Sequence, residues 1–230
     1  MNYADTTIII PTLNEERNIS ELIDELVNSY KNINIIVSDD KSKDKTQQIV
    51  KAFHKRNKNV NLLDRSKEKI HGLTASVIDA VKIVKTEFIV VMDGDMQHPP
   101  EKVKEIINKL RQGSDIVIGV RKEVYFGNLF RFFMSKTAVI LGQLRLLLRG
   151  IVCHDVVSGF FGVKTTLFQS KLKYSKKFEK KGYKVLFDLL KLVSSKTKIK
   201  EVKYSFGARK SGQSKINRRH VLIYFKSLFK

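Results

Sequence analysis

The sequence predicts an α/β protein in which a mostly parallel central sheet is flanked by helices. Short runs of apolar, largely β-branched residues alternate with segments whose apolar residues recur at the spacing of one helical face. The run at 88–92 is apolar throughout, which is typical of a strand buried on both faces of a parallel sheet. This alternation indicates βαβ units, whose connecting helices cover both faces of the sheet.

In the first half of the chain the predicted elements alternate regularly. Strands are expected at 7–10, 33–37, 60–63, 88–92 and 115–119. Helices are expected at 18–30, 44–55, 73–84 and 99–110. Pro11 is expected to end the first strand. Because strands joined by helices run parallel, the residues that follow each strand should meet at one edge of the sheet.

After Gly119 the pattern is less regular. Residues 124–148 are rich in Phe and Leu with basic residues between them, which indicates one or two amphipathic helices. These helices either pack in the core or lay an apolar face on a membrane surface while Lys and Arg contact anionic headgroups. A turn leading into a strand is expected at 155–163, a helix after Gly182, and a last strand at 199–206.

Length and cysteine content limit the class of protein. The chain has 230 residues, enough for one core, and we expect a single domain. Its one cysteine, Cys153, excludes an internal disulfide and fits a reducing compartment. The N-terminus lacks the pattern of a secretory signal, and no uncharged run approaches the roughly 18–20 apolar residues of a membrane-spanning helix. We therefore expect a cytoplasmic protein that is not an integral membrane protein.

The net charge of +21 lies entirely in the second half. Residues 1–115 hold 18 basic and 18 acidic side chains, whereas residues 116–230 hold 26 and 5. This asymmetry predicts a polyanionic partner for the second half, which could be nucleic acid, anionic lipid headgroups or a phosphorylated substrate. Lysines that merely solvate helix faces are the alternative, but they do not explain the difference between the halves.

Asp93 and Asp95 follow the strand at 88–92 with only Gly94 between them. Paired carboxylates at this position attract a hard divalent cation such as Mg²⁺ or Mn²⁺, and the amide oxygen of Gln97 can join them. Water and substrate phosphates usually complete such a coordination shell. The alternative is a solvated acidic turn before the next helix, because Asp-Gly is a common turn dipeptide.

Polar residues after the other strands suggest a nucleotide pocket. Asp39 and Asp40 follow the second strand, and Arg65 follows the third. Carboxylates accept from ribose hydroxyls and base N–H groups, whereas Arg65 can contact phosphates. The sequence has neither a G-x-G-x-x-G motif nor a P-loop, so metal and side chains must meet the phosphate charge. The basic segment 209–215 is either a loop that closes over phosphates or a solvated loop.

Taken together, these motifs resemble the polyprenyl-phosphate glycosyltransferases of the GT-A fold, a family that includes the dolichol-phosphate mannose synthases. The most specific match is M-D-G-D-M-Q-H-P-P-E at 92–101. The other matches are P-T-L-N-E at 11–15, D-D-K-S-K-D at 39–44, G-L-x-A at 72–75, S-G-F at 158–160, G-Y-K at 182–184 and R-K-S-G-Q-S-K at 209–215. The resemblance implies a Rossmann-like GT-A domain of the inverting family 2 type. In such a domain, residues 1–120 would form the nucleotide-sugar-binding half and residues 121–230 the basic acceptor-binding half.

The resemblance also implies roles for individual residues. Asp95 and Gln97 would hold the metal, and Asp95, Arg121 and Arg131 would be catalytic. The acceptor phosphate would contact Arg121, Arg131 and Ser135. The nucleotide sugar would contact Pro11, Leu13, Glu15, Ser38, Asp39, Asp40, Arg65, Asp93, Gly94, Asp95, Gln97, Arg209 and Lys215.

The predicted function is transfer of a hexose, mannose from GDP-mannose in the main interpretation, to a polyprenyl (dolichyl) phosphate at the cytoplasmic membrane face. A hydroxyl acceptor needs a general base, and the second half has few acidic residues to supply one. A phosphate monoester has a second pKa of about 6 and is already largely ionised near pH 7, so it is a competent nucleophile without a base.

Several alternatives remain open at this stage. A UDP-sugar such as UDP-glucose would use the same motifs, and a transferase of the same fold could act on a soluble sugar hydroxyl. A nucleic-acid-binding module would explain the basic half but not the acidic residues at the sheet edge. In the main interpretation the partners are the donor, the lipid phosphate and the membrane surface, with no nucleic acid. A membrane-anchoring partner subunit is also possible.

Overall fold

The computed structural model describes residues 1–122, 129–205, 207, 223, 227 and 228, and of residues 129–136 and 138 it describes the backbone alone. Among these residues, the strands are β1 Thr6–Thr12, β2 Asn34–Asp39, β3 Val60–Asp64, β4 Phe88–Val91, β5 Ile116–Arg121, β6 Phe161–Lys164 and β7 Ile199–Tyr204. The α-helices are α1 Ile19–Ser29, α2 Thr46–Arg56, α3 Leu73–Ile83, α4 Val103–Arg111, α5 Leu129–Leu147, α6 Thr165–Lys171 and α7 Val185–Leu190. Short 3₁₀ helices at Pro100–Lys102 and Leu172–Lys177 precede α4 and follow α6. The predicted mostly parallel α/β architecture is confirmed.

The strands form one sheet in the order β3-β2-β1-β4-β6-β5-β7. Neighbouring strands are parallel except at β6, which runs antiparallel to both β4 and β5. The first residue of β6, Phe161, therefore pairs with Val91 at the end of β4 and with Ile118 in β5. As a result, the loop that leads into β6 reaches the same edge of the sheet as the loops that follow β1, β2 and β4.

The central strands bury side chains on both faces of the sheet, which divides the core into two clusters. Ile8 and Ile10 of β1 pack with α1 and α4, whereas Ile9 packs with α3, α6 and α7. All three side chains are fully buried. Burial of one isoleucine contributes about 1.5–3 kcal/mol, so hydrophobic packing on both faces holds β1 at the centre of the fold.

The prediction that Pro11 ends β1 is wrong, because the strand continues to Thr12. β1 pairs with β4 only from Thr6 to Ile9, whereas its pairing with β2 continues to Thr12. Pro11 lies opposite Ser38 in β2, beyond the last pair with β4. At that point β1 has a neighbouring strand on one side only, and the missing proline N–H is tolerated there.

A close contact between α4 and β6 depends on Gly162. A Cβ atom at this position would lie 2.4 Å from the Ile106 side chain and 2.9 Å from that of Leu110. Both residues are buried on the inner face of α4. The glycine therefore lets α4 pack directly on the antiparallel strand.

Helix α5 packs against the core on one side and exposes an apolar face on the other. Leu146 is fully buried, whereas Ile140, Leu144 and Leu147 are 53%, 54% and 57% exposed. Spacings of four and three residues place the exposed side chains on one face of the helix. In the part of the chain that the structure describes, no helix combines the length and apolarity needed to cross a membrane.

Candidate active site at the carboxyl edge of the sheet

A cavity of about 300 Å³ opens where the predicted site loops meet. This volume is at the lower end of the range for small-ligand sites in proteins. It is lined by predicted site residues from both halves of the chain, namely Pro11, Leu13, Glu15, Asp40, Asp93, Gly94, Asp95, Gln97 and Arg121. The loops after β1, β2, β4 and β5 thus converge as the parallel architecture predicts.

The acidic loop after β4 is held through its backbone. The Asp93 N–H donates to Nδ1 of His98 over 3.0 Å, and the Gln97 N–H donates to a carboxylate oxygen of Asp95 over 3.2 Å. Met96 between them has a φ of 64°, a left-handed conformation that tightens the turn. Asp95 is largely buried, with 6% of the residue exposed, and it lines the cavity.

His98 is a buried, neutral residue. Burial lowers the pKa of its imidazole to about 4, although the negative charge of Asp95 opposes the shift. Because Nδ1 accepts the Asp93 N–H, the proton of the neutral ring is assigned to Nε2, which faces a carboxylate oxygen of Asp93 at 3.8 Å. The ring stacks on Phe160, with centroids 5.2 Å apart. Sequence reasoning did not assign His98 a role.

The turn before β6 supports His98 and Asp93 from behind. The Phe160 N–H donates to the Ser158 hydroxyl over 3.1 Å, which closes the turn. A Cβ atom at Gly159 would lie 3.1 Å from an Asp93 carboxylate oxygen and 3.2 Å from the His98 ring. The S-G-F motif therefore lets this turn approach the acidic loop.

Arg121, at the end of β5, forms a two-pronged ion pair with Asp155. Nε and Nη2 of Arg121 donate to the two carboxylate oxygens over 2.7 and 3.0 Å. Burial opposes the charge of Arg121, but the bonds and the charge of Asp155 outweigh it and raise the guanidinium pKa. Asp155 was not predicted as a site residue. The signal in the sequence that could have identified Asp155 is that it is one of the few acidic residues in a basic half.

Arg65, which is predicted to contact the nucleotide sugar, lies behind the cavity wall, and that contact remains a prediction. Arg65 is 2% exposed and does not line the cavity. Its guanidinium donates to the Asp40 carboxylate, to Asp79 over 3.0 Å and to the Ile70 carbonyl over 2.7 Å. A guanidinium with these partners holds Asp40 in place, and Asp40 in turn faces the cavity.

Ser38 and Asp39 also lie behind the cavity wall, and their predicted contact with the donor remains a prediction. Both are fully buried. The Ser38 hydroxyl donates to the Ser76 carbonyl over 2.9 Å. Asp39 accepts from the Ser42 N–H over 2.9 Å and from the Gln47 amide over 2.7 Å. These bonds fold the loop after β2 and leave Asp40 as its cavity-lining acid.

The start of α3 brings the second half of the chain against the first. Gly72 has a φ of 142°, and a Cβ atom there would lie 2.8 Å from the Lys180 carbonyl oxygen. The Thr74 N–H donates to the Gly182 carbonyl over 3.1 Å. These contacts place Tyr183 and Lys184 on the cavity wall, two residues to which sequence reasoning gave no role.

Four predicted residues cannot be placed. Arg209 and Lys215 lie outside the described residues, and the side chains of Arg131 and Ser135 lie outside the described part of α5. Their predicted contacts with the donor and acceptor remain predictions.

The residues at Asp95 and Gln97 fit a divalent metal that is shared with a substrate. Carboxylate and amide oxygens are hard ligands of the kind that Mg²⁺ and Mn²⁺ take. No group of three or more His, Cys, Asp or Glu side chains among the described residues could hold an ion alone. A cation here would therefore depend on phosphate oxygens and water for the rest of its ligands.

Among the described residues, a sheet with a single antiparallel strand and an Asp-x-Asp loop beside its cavity form the architecture of a GT-A glycosyltransferase. A family model described as Glycosyl transferase family 2 matches residues 7–170, and the chain belongs to that family.

Three relatives with similar sequences carry the same name. A "Dolichol-phosphate mannosyltransferase" of Pyrococcus furiosus is 32% identical over 97% of this chain, which spans 62% of that relative's length. The protein of the same name from Mycosarcoma maydis is 28% identical, with 96% of this chain and 77% of the relative covered. The one from Saccharomyces cerevisiae is 27% identical, with 96% and 85% covered.

Solved structures share the fold at low sequence identity. The chain resembles glucosyl-3-phosphoglycerate synthase from Mycobacterium tuberculosis in complex with UDP, with a TM-score of 0.68, 17% identity, and 97% of this chain and 80% of that chain covered. Mannosyl-3-phosphoglycerate synthase from Rubrobacter xylanophilus gives a TM-score of 0.68 and 15% identity, with 97% and 72% covered. The Mycobacterium tuberculosis synthase has also been crystallised with Mn²⁺, UDP and phosphoglyceric acid.

Proposed function

We propose that this chain transfers mannose from GDP-mannose to a polyprenyl phosphate such as dolichyl phosphate, with inversion at the anomeric carbon. The names of the relatives supply the donor sugar and the acceptor. The observation that carries the proposal is the lining of the cavity: the first half contributes acidic residues, and the second half contributes Arg121 and Lys184. We propose accordingly that residues 1–120 bind the donor and residues 121–230 bind the acceptor.

The acidic part of the cavity suits a nucleotide diphosphate. Asp95 and Gln97 would hold Mg²⁺ or Mn²⁺, which when bound stabilises the charge that develops on the departing diphosphate. Asp93 and Asp40 are held in fixed positions by His98 and Arg65, so their carboxylates can accept from hydroxyl and N–H groups of the donor. Leu13 and Pro11 add apolar surface beside them.

A phosphate acceptor fits the positions of the acidic residues that the structure describes in the second half. None of the described acidic residues of the second half lines the cavity. Asp155 is bound by Arg121, Asp188 by Lys191, and Glu201 by the ring of His154. An ionised phosphate oxygen can attack the anomeric carbon without losing a proton. As the new bond forms, the bond from that carbon to the diphosphate breaks on the opposite face, and its electron pair leaves with the nucleoside diphosphate.

The exposed face of α5 supports a membrane surface as a partner. Ile140, Leu144 and Leu147 form this face, and Leu148 continues it at 84% exposure. Arg149 beside them is also exposed. Apolar residues flanked by cations are typical of elements that lie in the plane of an anionic membrane. We propose that this face docks on the cytoplasmic side of the membrane that carries the lipid acceptor, either directly or with an anchoring subunit.

A transfer assay tests the proposal. The purified chain is incubated with radiolabelled GDP-mannose, Mn²⁺ and a polyprenyl phosphate in detergent, and labelled lipid is extracted. Parallel reactions replace the donor with radiolabelled UDP-glucose, or replace the acceptor with the unphosphorylated polyprenol. We expect labelled lipid only with GDP-mannose and the phosphate. Equal product from UDP-glucose would contradict the assignment of GDP-mannose as the donor. Product from the polyprenol would contradict the assignment of a phosphate as the acceptor group.

A further inference from the structure

Lys184 is a cation on the cavity wall whose role the predicted site does not explain. It lies in the loop between the 3₁₀ helix Leu172–Lys177 and α7, and it is half-buried. Its Nζ donates to the Val157 carbonyl over 2.7 Å. An ammonium group has three N–H donors, so this bond leaves others for a ligand. The Tyr183 ring lies beside it, with Nζ 4.6 Å from the ring centroid.

The charges around Lys184 favour an anion. Burial lowers the pKa of its ammonium to about 8, and the positive charge of Arg121 lowers it further, whereas Asp155 and Asp93 oppose the shift. Asp155 already accepts both of the Arg121 bonds, so its charge is shared with a second cation. Two half-buried cations therefore share Asp155, with Asp93 as the other acidic group near Lys184, and a ligand that supplies negative charge would stabilise both cations.

Two phosphate groups could meet this need, the diphosphate of the donor and the phosphate of the acceptor. The donor diphosphate has its own cation in the metal that Asp95 and Gln97 fit. The acceptor phosphate is not a ligand of that predicted metal site and must approach the donor diphosphate against charge repulsion. Arg121 and Lys184 both belong to the second half of the chain, as does the exposed face of α5.

We propose that Lys184, together with Arg121, binds the phosphate of the acceptor. This inference rests on the proposed function and names a binding residue for it. Arg121 is oriented by Asp155, and Lys184 by the Val157 carbonyl, so both cations are positioned before the acceptor arrives. Each provides N–H donors to a dianion, an arrangement that gives strong, charge-assisted hydrogen bonds.

The test compares Lys184→Met and Lys184→Arg with the control Lys176→Met. Lys176 is an exposed lysine of the neighbouring 3₁₀ helix, so its substitution removes the same charge away from the cavity. Each full-length variant is titrated calorimetrically with GDP-mannose plus Mn²⁺. Each is then titrated, in the presence of GDP and Mn²⁺, with a short, soluble prenyl phosphate. Binding of the prenyl phosphate does not require turnover.

We expect Lys184→Met to weaken prenyl phosphate binding roughly 10- to 100-fold, the loss for one charge-assisted hydrogen bond, and to leave GDP-mannose affinity within about twofold. Lys184→Arg should recover part of the loss, and Lys176→Met should match the wild type. Equal prenyl phosphate affinity in wild type and Lys184→Met would overturn the inference. An equal loss of both affinities would also overturn it, because Lys184 would then act on the donor or on the fold.

The same experiment separates this inference from the proposed function. If the wild type binds prenyl phosphate through Lys184 but transfers no mannose, the donor sugar is wrong and the phosphate site stands. If the wild type transfers mannose and Lys184→Met does so with unchanged acceptor KM, the proposed function stands and the Lys184 site is refuted. If the wild type binds no prenyl phosphate, both are refuted.

Discussion

At the scale of single residues, the position of the acidic loop depends on groups that carry no charge. The Asp93 N–H is satisfied by neutral His98, and Gln97 is tied to Gly207 by two bonds of 3.1 Å. One of these runs from the Gln97 side-chain amide to the Gly207 carbonyl, and the other runs from the Gly207 N–H to the Gln97 carbonyl. Both ends of the loop are thus fixed before a metal or nucleotide binds, which reduces the reorganisation that binding requires.

Replacement of His98 with phenylalanine tests this arrangement. Phenylalanine keeps a ring against Phe160 but leaves the Asp93 N–H without its acceptor, so we expect a loss of about 1–3 kcal/mol in the free energy of unfolding. Because the loop is then less well fixed, GDP-mannose affinity should fall roughly tenfold. Denaturant unfolding and calorimetry measure the two effects. The matched control is His154→Phe, since the His154 side chain is 77% exposed. Equal results for the two variants would show that His98 does not position the loop.

A second prediction concerns Asp155, which orients Arg121. Asp155→Asn should lower kcat/KM for polyprenyl phosphate roughly tenfold, because an amide cannot accept both guanidinium bonds. GDP-mannose affinity should change little. Asp115→Asn is the matched control, since Asp115 pairs with Lys164 at the opposite edge of the sheet. A loss of donor affinity in Asp155→Asn equal to its loss in kcat/KM would contradict a role on the acceptor side.

The sequence identified which loops form the site better than it identified the role of each side chain. Asp93, Asp95 and Gln97 follow a strand end, so the fold alone brings them to the cavity. Arg65 follows a strand in the same way but turns inward, because Asp40 and Asp79 together offer it a buried ion pair. Such a partner choice depends on contacts between residues distant in sequence, which a local pattern does not contain.

At the scale of elements, the membrane docking that we propose for α5 depends on one exposed face of the helix. Leu144 and Leu147 are more than half exposed, although the same helix buries Leu146. The sequence predicted an amphipathic helix here and left open whether its apolar side packs in the core or lies on a membrane. The structure places one row of apolar residues in the core and leaves another row outside.

Leu144→Glu tests the exposed face. A carboxylate there should reduce binding to vesicles with anionic lipid roughly tenfold or more, because it replaces inserted apolar surface with a charge that the lipid repels. Turnover with a short, soluble prenyl phosphate should be unchanged. Ile83→Glu serves as the control, since Ile83 is 52% exposed at the end of α3. Vesicle cosedimentation measures the effect, and equal loss in both variants would contradict a specific docking face.

The order of strands in the second half was the part of the architecture least open to prediction. Helical and strand periodicity located β5, β6 and β7 along the chain, but periodicity gives no pairing partner. Insertion of antiparallel β6 between β4 and β5 depends on distant contacts such as Gly162 with Ile106. This insertion is what carries Gly159 to the cavity and brings Asp155 to Arg121 beside it.

At the scale of the whole molecule, both halves contribute to one core and one cavity. Cys153 reports on that core because it is 5% exposed and packs in the cluster under α3, α6 and α7. Burial raises the pKa of its thiol to about 12, and the charges of Glu201 and Asp155 add to the effect. The thiol therefore stays protonated in the folded chain at pH 8.

We expect Cys153 to react with a thiol reagent at pH 8 only as the chain unfolds. An unfolded thiol has a pKa near 8.5, so a substantial fraction is thiolate at that pH, whereas the folded thiol is both protonated and enclosed. Labelling in increasing denaturant should follow the same transition as circular dichroism. Rapid labelling without denaturant would show that the core around Cys153 opens independently of the rest of the fold.

The central claim is that the acidic loop after β4 binds a nucleotide sugar through a divalent metal. Calorimetric titration with GDP-mannose, with and without Mn²⁺, tests it most directly, using wild type and Asp95→Ala. We expect binding by the wild type that weakens at least tenfold without Mn²⁺, and little or no metal-dependent binding by Asp95→Ala. Equal affinity with and without Mn²⁺, or undiminished metal-dependent binding by Asp95→Ala, would contradict it.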